Sequence, residues 1–378
     1  MSVAGEEQRD PVVIEDRDDA RGEHARAVLD LCSILLSQAK TLSQLVPAAI
    51  KIARASLAEI GCCLSCCNGI ATKHCIKKVD RFIGNHRIEP IEAMRGVVEW
   101  LARPRKLLMV SIDWVDIRSF KCLVMAARIR GRAIPLLWAV YRYEDFYRPQ
   151  NNIEYGMLHA FRTMVPASAQ VIILADRGFG RAEMARECQK LQFGYIIRIG
   201  TKVYVKGYSF AGRLTDLKIR PGQQITLHNV LYRKYKPVRQ HIAVFWQTGE
   251  TEPWFLMTNV DKLPARKLSK VFGKRMSIEE YFRDAKSKRN GFALRLTLIK
   301  DSERLGRFLL ILAMAYILLV TIGLYVSKRF RPSQWCSNNR VKECSLFTIG
   351  KVMLLRQLPK LKYLLKGLRN EILLQKWG

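Results

Sequence analysis

One face of the segment 272–286 carries a single carboxylate among basic residues. Glu279 follows Arg275 by four residues and precedes Arg283 and Lys286 by four and seven. Residues three, four and seven apart share one face of a helix, so the spacing predicts a helix with one acid inside a basic stripe. Such a face is either a solvated surface crossed by ion pairs or one wall of a charged site. Acids elsewhere in the chain favour the second interpretation.

Two aspartates, Asp113 and Asp176, each lie at the end of an aliphatic run. The runs 106–113 and 171–180 stop at a charge or at glycine, as buried strands do. Ligand sites in α/β sheets lie at strand ends, where a side chain leaves the packed interior. Together with Glu279, these acids predict a carboxylate cluster that binds two Mg²⁺ or Mn²⁺ ions. Two such ions about 3.5–4 Å apart can cleave a phosphodiester.

The order and spacing of these residues resemble a known family. Asp113, Asp176 and Glu279, with Arg275 four residues before the glutamate and Lys286 seven after it, are similar to the DDE transposases of bacterial insertion sequences. The resemblance is strongest to the insertion-sequence-four branch, whose signature is tyrosine, two residues, arginine, three residues, glutamate, six residues and lysine. It implies a ribonuclease-H-like catalytic domain.

One position departs from the family signature, because Phe272 stands where the tyrosine is expected. A phenyl ring can pack, but it cannot hydrogen-bond a phosphate. The blocks 110–114, 175–179 and 253–259 also resemble the family, and the similarity extends over roughly residues 80–325. Most of the chain is therefore covered.

The resemblance implies a function and a role for each site residue. It implies cut-and-paste DNA transposition by a homodimer that bridges both element ends, with the three acids as catalytic and metal-binding residues. Trp254 would stack on a flipped base, or pack in the core instead. The residues implied to contact DNA are Arg177, Trp254, Phe272, Arg275, Arg283 and Lys286.

The charge of the chain agrees with a polyanion partner. Lys and Arg number 64 against 33 Asp and Glu, which gives a formal net charge of +31. DNA or an anionic membrane surface would be attracted by such a field. Residues 1–24 hold eight acids and three bases, which predicts a disordered acidic tail. Residues 1–24 are acidic and contain no apolar core of a signal peptide, so we expect a cytoplasmic protein associated with the bacterial nucleoid.

A cysteine cluster and an apolar run each allow two interpretations. The cysteines between residues 62 and 75 lack the two separated pairs of a structural zinc site. We expect them instead to pack one helix face as reduced thiols. Residues 308–326 contain no charge and could span a bilayer or form a buried core helix. The buried helix is favoured because the run directly follows the predicted catalytic helix.

The remaining elements follow the order of a ribonuclease-H-like core. Helices are expected within 26–71 and 73–87, forming either a DNA-binding domain or a plain helical cap. Strands are expected at 107–112, 122–129, 134–141 and 171–175, with helices at 152–163 and 181–191. Short alternating runs at 194–258 predict a β-rich insertion, which the 103 residues between Asp176 and Glu279 can hold.

The predicted domain organisation has six parts. These are an acidic tail at 1–24, a helical DNA-binding domain at 25–103, the first part of the core at 104–193, the insertion at 194–252, the second part of the core at 253–328 and a basic helical region at 329–378. Two alternatives to an active transposase stay open. One is an inactive or domesticated ribonuclease-H-like nuclease, and the other is a non-catalytic basic protein anchored in a membrane.

Overall fold

The computed structural model describes residues 32, 34–102, 107–146, 150–261, 263–336 and 344–354. The predicted acidic tail, and residues 337–343 and 355–378 of the predicted basic helical region, lie outside these residues. A single ten-stranded mixed sheet runs through the described part of the chain.

Five strands of this sheet form a ribonuclease-H-like core. They are β1 (Leu107–Ile117), β2 (Phe120–Ile129), β3 (Arg132–Arg142), β4 (Gln170–Ala175) and β5 (Gly194–Arg198). Their order is β3-β2-β1-β4-β5. The pairs β1–β2 and β2–β3 are antiparallel, whereas β1–β4 and β4–β5 are parallel. This order and these directions confirm the predicted fold class.

The hairpin between β2 and β3 turns over Arg130 and Gly131. Both residues have positive φ, 30° and 74°. Two-residue turns with positive φ at both positions match the twist of antiparallel strands. The strands expected at 122–129 and 134–141 are therefore joined by a tight hairpin.

The inserted strands extend the core sheet. They are β6 (Tyr204–Lys206), β7 (Ala211–Arg213), β8 (Gln224–Tyr232), β9 (Val238–Phe245) and β10 (Trp254–Thr258). Beyond β5 the order is β10-β9-β8-β6-β7, so the β-rich insertion is confirmed. One boundary was wrong, because the run from residue 194 pairs parallel with β4 and is the fifth core strand.

Helices precede the first strand and also pack on the sheet. The first five are α1 (Leu36–Ile52), α2 (Leu57–Asn68), α3 (Thr72–Gly84), α4 (Pro90–Ala93) and α5 (Arg95–Ala102). Four more are α6 (Gln150–Met164), α7 (Ala182–Lys190), α8 (Ala265–Gly273) and α9 (Ser277–Lys286). Buried residues of the N-terminal helices and of the sheet belong to one continuous hydrophobic core.

The apolar run forms the middle of a long core helix, α10 (Ser302–Arg329). This helix is long and apolar enough to cross a bilayer, but 94% of its apolar window is buried inside the protein. Gly323 lets α11 (Leu346–Met353) cross closely, because a Cβ there would lie 1.8 Å from the Leu346 carbonyl oxygen. The burial supports the core-helix interpretation.

The cysteine cluster does not pack as expected. Cys62, Cys66 and Cys67 are exposed, and Cys63 is half-buried. The buried face of α2 is formed by Ile60, Gly61 and Leu64. The packing prediction was wrong for these four cysteines because the helix turns its aliphatic residues inward and its thiols toward solvent.

Candidate catalytic carboxylate site

Two neighbouring parallel strands bring Asp113 and Asp176 together just past their last paired residues, where β4 ends and β1 continues to Ile117. The last parallel pair between β1 and β4 is Ile112 with Ala175, and each aspartate is the next residue along its strand. Burial of β1 is complete up to Ile112 and becomes partial at Asp113. The backbone of each acid is therefore fixed by the sheet while its carboxylate leaves the core.

Helix α9 supplies the third acid, Glu279, in its first turn. The opposite face of α9 packs into the core through Ile278, Phe282 and Ala285, which are at most 8% exposed. Acids at a helix N-terminus are stabilised by the helix dipole. The apolar face thus sets the direction in which Glu279 points.

A second set of charges attaches α9 to the β2–β3 hairpin. The Arg132 guanidinium lies 2.7 Å from an Asp284 carboxylate oxygen and 3.1 Å from Glu280. The Tyr316 hydroxyl donates to Asp284 at 3.1 Å, from α10. Burial raises the pKa of Asp284 to about 6, although Arg132 opposes that change. This cluster holds the helix that carries Glu279.

The guanidinium of Arg275 lies among all three candidate acids. Its Nη1 atom is 2.9 Å from Asp113 Oδ2 and 3.4 Å from Glu279 Oε1, and Nη2 is 3.7 Å from Asp176 Oδ2. Arg275 is only 7% exposed. The family resemblance implies that this side chain binds DNA phosphates, whereas in the structure it pairs with the three acids. A contact between Arg275 and DNA stays a prediction.

The electrostatics at Asp113 reflect this crowding. One carboxylate oxygen accepts a hydrogen bond from the Trp114 backbone N–H at 2.9 Å. Burial raises the pKa of Asp113 to about 6, and the neighbouring Glu279 and Asp176 add to the rise. The positive charge of Arg275 acts in the opposite direction. Asp113 therefore needs a cation nearby to remain ionised inside the site.

Divalent ions fit the donor set of this site. In the part of the chain that the structure describes, no group of three or more His, Cys, Asp or Glu side chains is placed to hold a metal as it stands. Asp113, Asp176 and Glu279 nevertheless converge on one cation, the Arg275 guanidinium. Carboxylate oxygens are the ligands that Mg²⁺ and Mn²⁺ prefer. A metal would take the place that the guanidinium holds.

The other basic candidates differ in exposure. Lys286 is half-buried, and burial lowers its pKa while Asp116, Glu279 and Asp113 act against that change. These influences place its ammonium near the acids. The Arg283 side chain is 71% exposed and pairs with Glu280 at 3.1 Å. Arg177 is half exposed beside Asp176, and it pairs with Glu252 at 3.3 Å.

Trp254 and Phe272 pack against each other beside a cleft. Their rings meet edge to face with centroids 5.4 Å apart, and Phe272 is only 4% exposed. The phenyl ring therefore belongs to the core, and the structure does not support the direct DNA contact implied for it. Half-buried Trp254 lines a cleft of about 700 Å³ together with Trp246, Arg266 and Lys270. Its ring contributes to both the core and the cleft.

The sequence did not identify Glu154, which lies behind the aspartates and is fully buried. Its carboxylate pairs with the guanidinium of Arg181 and accepts a hydrogen bond from Trp114 Nε1 at 2.9 Å. A glutamate between Ile153 and Tyr155 reads as an ordinary exposed helix position. No local pattern marks it, because the charge partner Arg181 and the indole donor Trp114 lie 27 and 40 residues away in the chain.

Comparisons with known proteins bear on the segment that holds two of the acids. Residues 148–318 match the family model of the transposase DDE domain, which includes Asp176 and Glu279. The match covers less than half of the chain and supports the broader resemblance to DDE transposases. No curated protein matches the chain. Among solved structures, a piggyBac transposase in a synaptic complex with hairpin DNA, determined by cryo-electron microscopy, is similar with a TM-score of 0.43 and 11% identity. That similarity covers 95% of this chain and 84% of the other.

Proposed function

We propose that this protein is a DNA transposase that cuts at the ends of its element and joins them to target DNA. The observation that carries the proposal is the convergence of Asp113, Asp176 and Glu279 on one cation at an edge of a ribonuclease-H-like sheet. Three acids from distant parts of the chain meet there. Repulsion among them costs free energy, and a phosphodiester-cleaving metal site gives that arrangement a purpose.

Each acid has a role in holding the metal. Asp113 and Asp176 are fixed by the sheet, and Glu279 completes the site from α9. Two Mg²⁺ or Mn²⁺ ions bound there would activate the attacking oxygen and stabilise the leaving oxygen of a phosphodiester. The chain itself supplies the ligands, orients them by burial and places positive charge nearby through Arg275 and Lys286.

Basic and aromatic residues around the acids would bind the DNA. The charges of Asp113 and Glu279 act on the Lys286 ammonium, and the side chains of Arg283 and Arg177 are exposed, so all three would contact phosphates near the cleavage point. Arg275 would exchange the carboxylates for a phosphate when metal enters, since a guanidinium binds either group bidentately. Trp254, at the wall of the cleft, would stack on an unpaired base.

The assembly and location follow from the same function. A transposase that joins two ends to one target needs two catalytic sites, so we infer a homodimer on DNA. It would act on bacterial DNA in the cytoplasm, by cut-and-paste transposition of an insertion sequence of the insertion-sequence-four branch. The net charge of +31 supports DNA as the partner.

The test uses the DNA that flanks the coding region. Duplexes from both flanks are labelled at their ends and incubated with the full chain and Mg²⁺ or Mn²⁺. We expect nicks at inverted repeats and, with a supercoiled target present, joined products. A duplex with scrambled repeats is the matched control. If specific and scrambled duplexes are bound equally and neither is cut with either metal, the proposed function is wrong.

A further inference from the structure

A buried ion pair lies directly behind the two aspartates. Glu154, on α6, is fully buried, and its Oε2 atom accepts a hydrogen bond from the Arg181 guanidinium. Its Oε1 atom accepts from Trp114 Nε1 at 2.9 Å and from Gln150 Nε2 at 3.2 Å. The carboxylate therefore has three donors around two oxygens. Such saturation fixes the position of a side chain in a low-dielectric interior.

The partners of Glu154 lead to both catalytic strand ends. Trp114 is the residue after Asp113, and its backbone N–H donates to the Asp113 carboxylate. Arg181 also donates to the carbonyl of Gly178, in the single turn Arg177–Phe179 that follows Asp176. One carboxylate thus connects the segment after the first aspartate to the segment after the second.

Stability alone does not explain a charge at this position. An apolar pair of similar volume often stabilises a core as well as a buried ion pair does, because desolvation offsets the Coulomb attraction. What an ion pair adds is direction, since its hydrogen bonds are satisfied in only one arrangement. Here the hydrogen bonds fix the orientation of the Trp114 side chain relative to the turn that follows Asp176.

We propose that Glu154 is a positioning residue that sets the separation of the Asp113 and Asp176 carboxylates. It touches neither DNA nor metal. It acts through Trp114 on one aspartate and through Arg181 on the turn beside the other. This inference rests on the proposed function, because the separation matters only if the two carboxylates share metal ions.

Four variants of the full chain separate positioning from stability. Glu154→Gln removes the charge but keeps one acceptor, and Trp114→Phe removes the indole donor together with one ring of the side chain. The double variant E154M/R181M replaces the pair with apolar side chains and keeps the core packed. The matched control is Glu187→Gln, because His159 and Glu187 form a second link between α6 and α7 at 2.9 Å, away from the aspartates.

The measurement is Mn²⁺ binding by calorimetry without DNA, alongside thermal unfolding of each metal-free variant. Loss of a residue that orients metal ligands lowers metal affinity by roughly 10–100-fold. We expect such a loss in Glu154→Gln and in E154M/R181M, a smaller loss in Trp114→Phe, and none in Glu187→Gln. If Glu154→Gln does not fold, E154M/R181M and Trp114→Phe still test the connection between Glu154 and the two aspartates.

Two results would overturn the inference in different ways. If the folded double variant and Trp114→Phe bind Mn²⁺ as tightly as wild type, Glu154 is structural and the inference fails while the proposed function stands. If the wild-type chain binds no Mn²⁺ even with flanking DNA present, the proposed metal chemistry fails and the inference fails with it.

Discussion

Two arginines, the partly buried Arg181 and the buried Arg275, bind carboxylates in contrasting ways, and their side chains are 18% and 9% exposed. Arg181 pairs with a single acid, Glu154, whose side chain is fully buried. Arg275 is shared among three acids, and two of them, Asp176 and Glu279, have side chains that are 43% and 41% exposed. One guanidinium has a dedicated partner inside the core, and the other has several partners that water reaches.

The difference separates a fixed ion pair from an exchangeable one. A fully buried carboxylate cannot lose its partner without a large desolvation cost. Partly hydrated carboxylates can exchange a guanidinium for another cation, because water offsets part of the charge during the exchange. Arg181 is therefore part of the scaffold, and Arg275 behaves as an internal counter-ion at a site where a metal is expected.

The largest expected effect concerns the acids around Arg275. Changing Asp113 or Asp176 to Asn, or Glu279 to Gln, should reduce end cleavage below detection while end binding persists, because metal ligands are lost and the basic surface stays. Gel-based cleavage and binding assays on flanking DNA measure the two. Asp116→Asn is the matched control, since Asp116 is exposed and lies outside the cluster. Cleavage lost in that control but kept in Asp113→Asn would shift the site by three residues.

The second prediction compares the two arginines directly. Arg181→Gln should lower the free energy of unfolding by about 3–5 kcal/mol, because it leaves Glu154 buried without its charge partner. Arg275→Gln should cost less, and Mn²⁺ should restore its stability, since metal can replace the guanidinium. Denaturant unfolding with and without Mn²⁺ checks both variants. Equal losses that Mn²⁺ does not reverse would contradict the distinction between the two arginines.

A third prediction concerns Asp284, which pairs with Arg132 behind α9. Its pKa is about 6 in the folded chain and about 3.8 unfolded, so the folded state binds more protons between these values. Its contribution to stability is therefore greatest at low pH and is lost as the pH rises through about 6. Relative to Asp284→Asn, wild type should lose up to roughly 3 kcal/mol of unfolding free energy between pH 4 and pH 7. Parallel pH profiles of the two proteins would exclude a raised pKa at Asp284.

A smaller effect is expected at Lys286, whose ammonium lies near Asp113 and Glu279. Each phosphate contact adds about −0.9 to the log–log slope of DNA affinity against salt. Lys286→Ala should reduce the magnitude of that slope by about one. Binding is measured across a salt series, with Lys190→Ala, at the exposed end of α7, as the control. An unchanged slope would remove Lys286 from the DNA surface.

The smallest effect is expected at Phe272, where the family signature has tyrosine. The ring is buried against Trp254, so a new hydroxyl would lack solvent. An unsatisfied buried hydroxyl costs about 1–3 kcal/mol. Phe272→Tyr should therefore lower the melting temperature without faster end cleavage. A gain in cleavage at unchanged stability would show that the hydroxyl reaches DNA, and would restore the role that the family resemblance implies.

The sequence predicted the core strands and the proximity of the three acids better than it predicted the contacts around them. The proximity of Asp113 and Asp176 could be predicted because a buried strand has an apolar sequence. The end of each apolar run shows where the strand leaves the core. The direction of Arg275 was not found, since helical spacing tells which residues share a face but not what that face meets. Glu154 was missed for a related reason. Its burial depends on Arg181, which no local pattern connects to it.

The order of elements along the chain has a consequence for α10 during translation. Among the described residues, its partners α1, α3, α4, α9 and β3 precede it, and α11 follows it. Domains tend to fold from the N-terminal side as they leave the ribosome. The apolar residues 308–326 therefore emerge when most of the surface that buries them has already been synthesised. A circular permutant that began at α10 would lose this protection, and its nascent chain would present nineteen uncharged residues to the membrane-insertion machinery first.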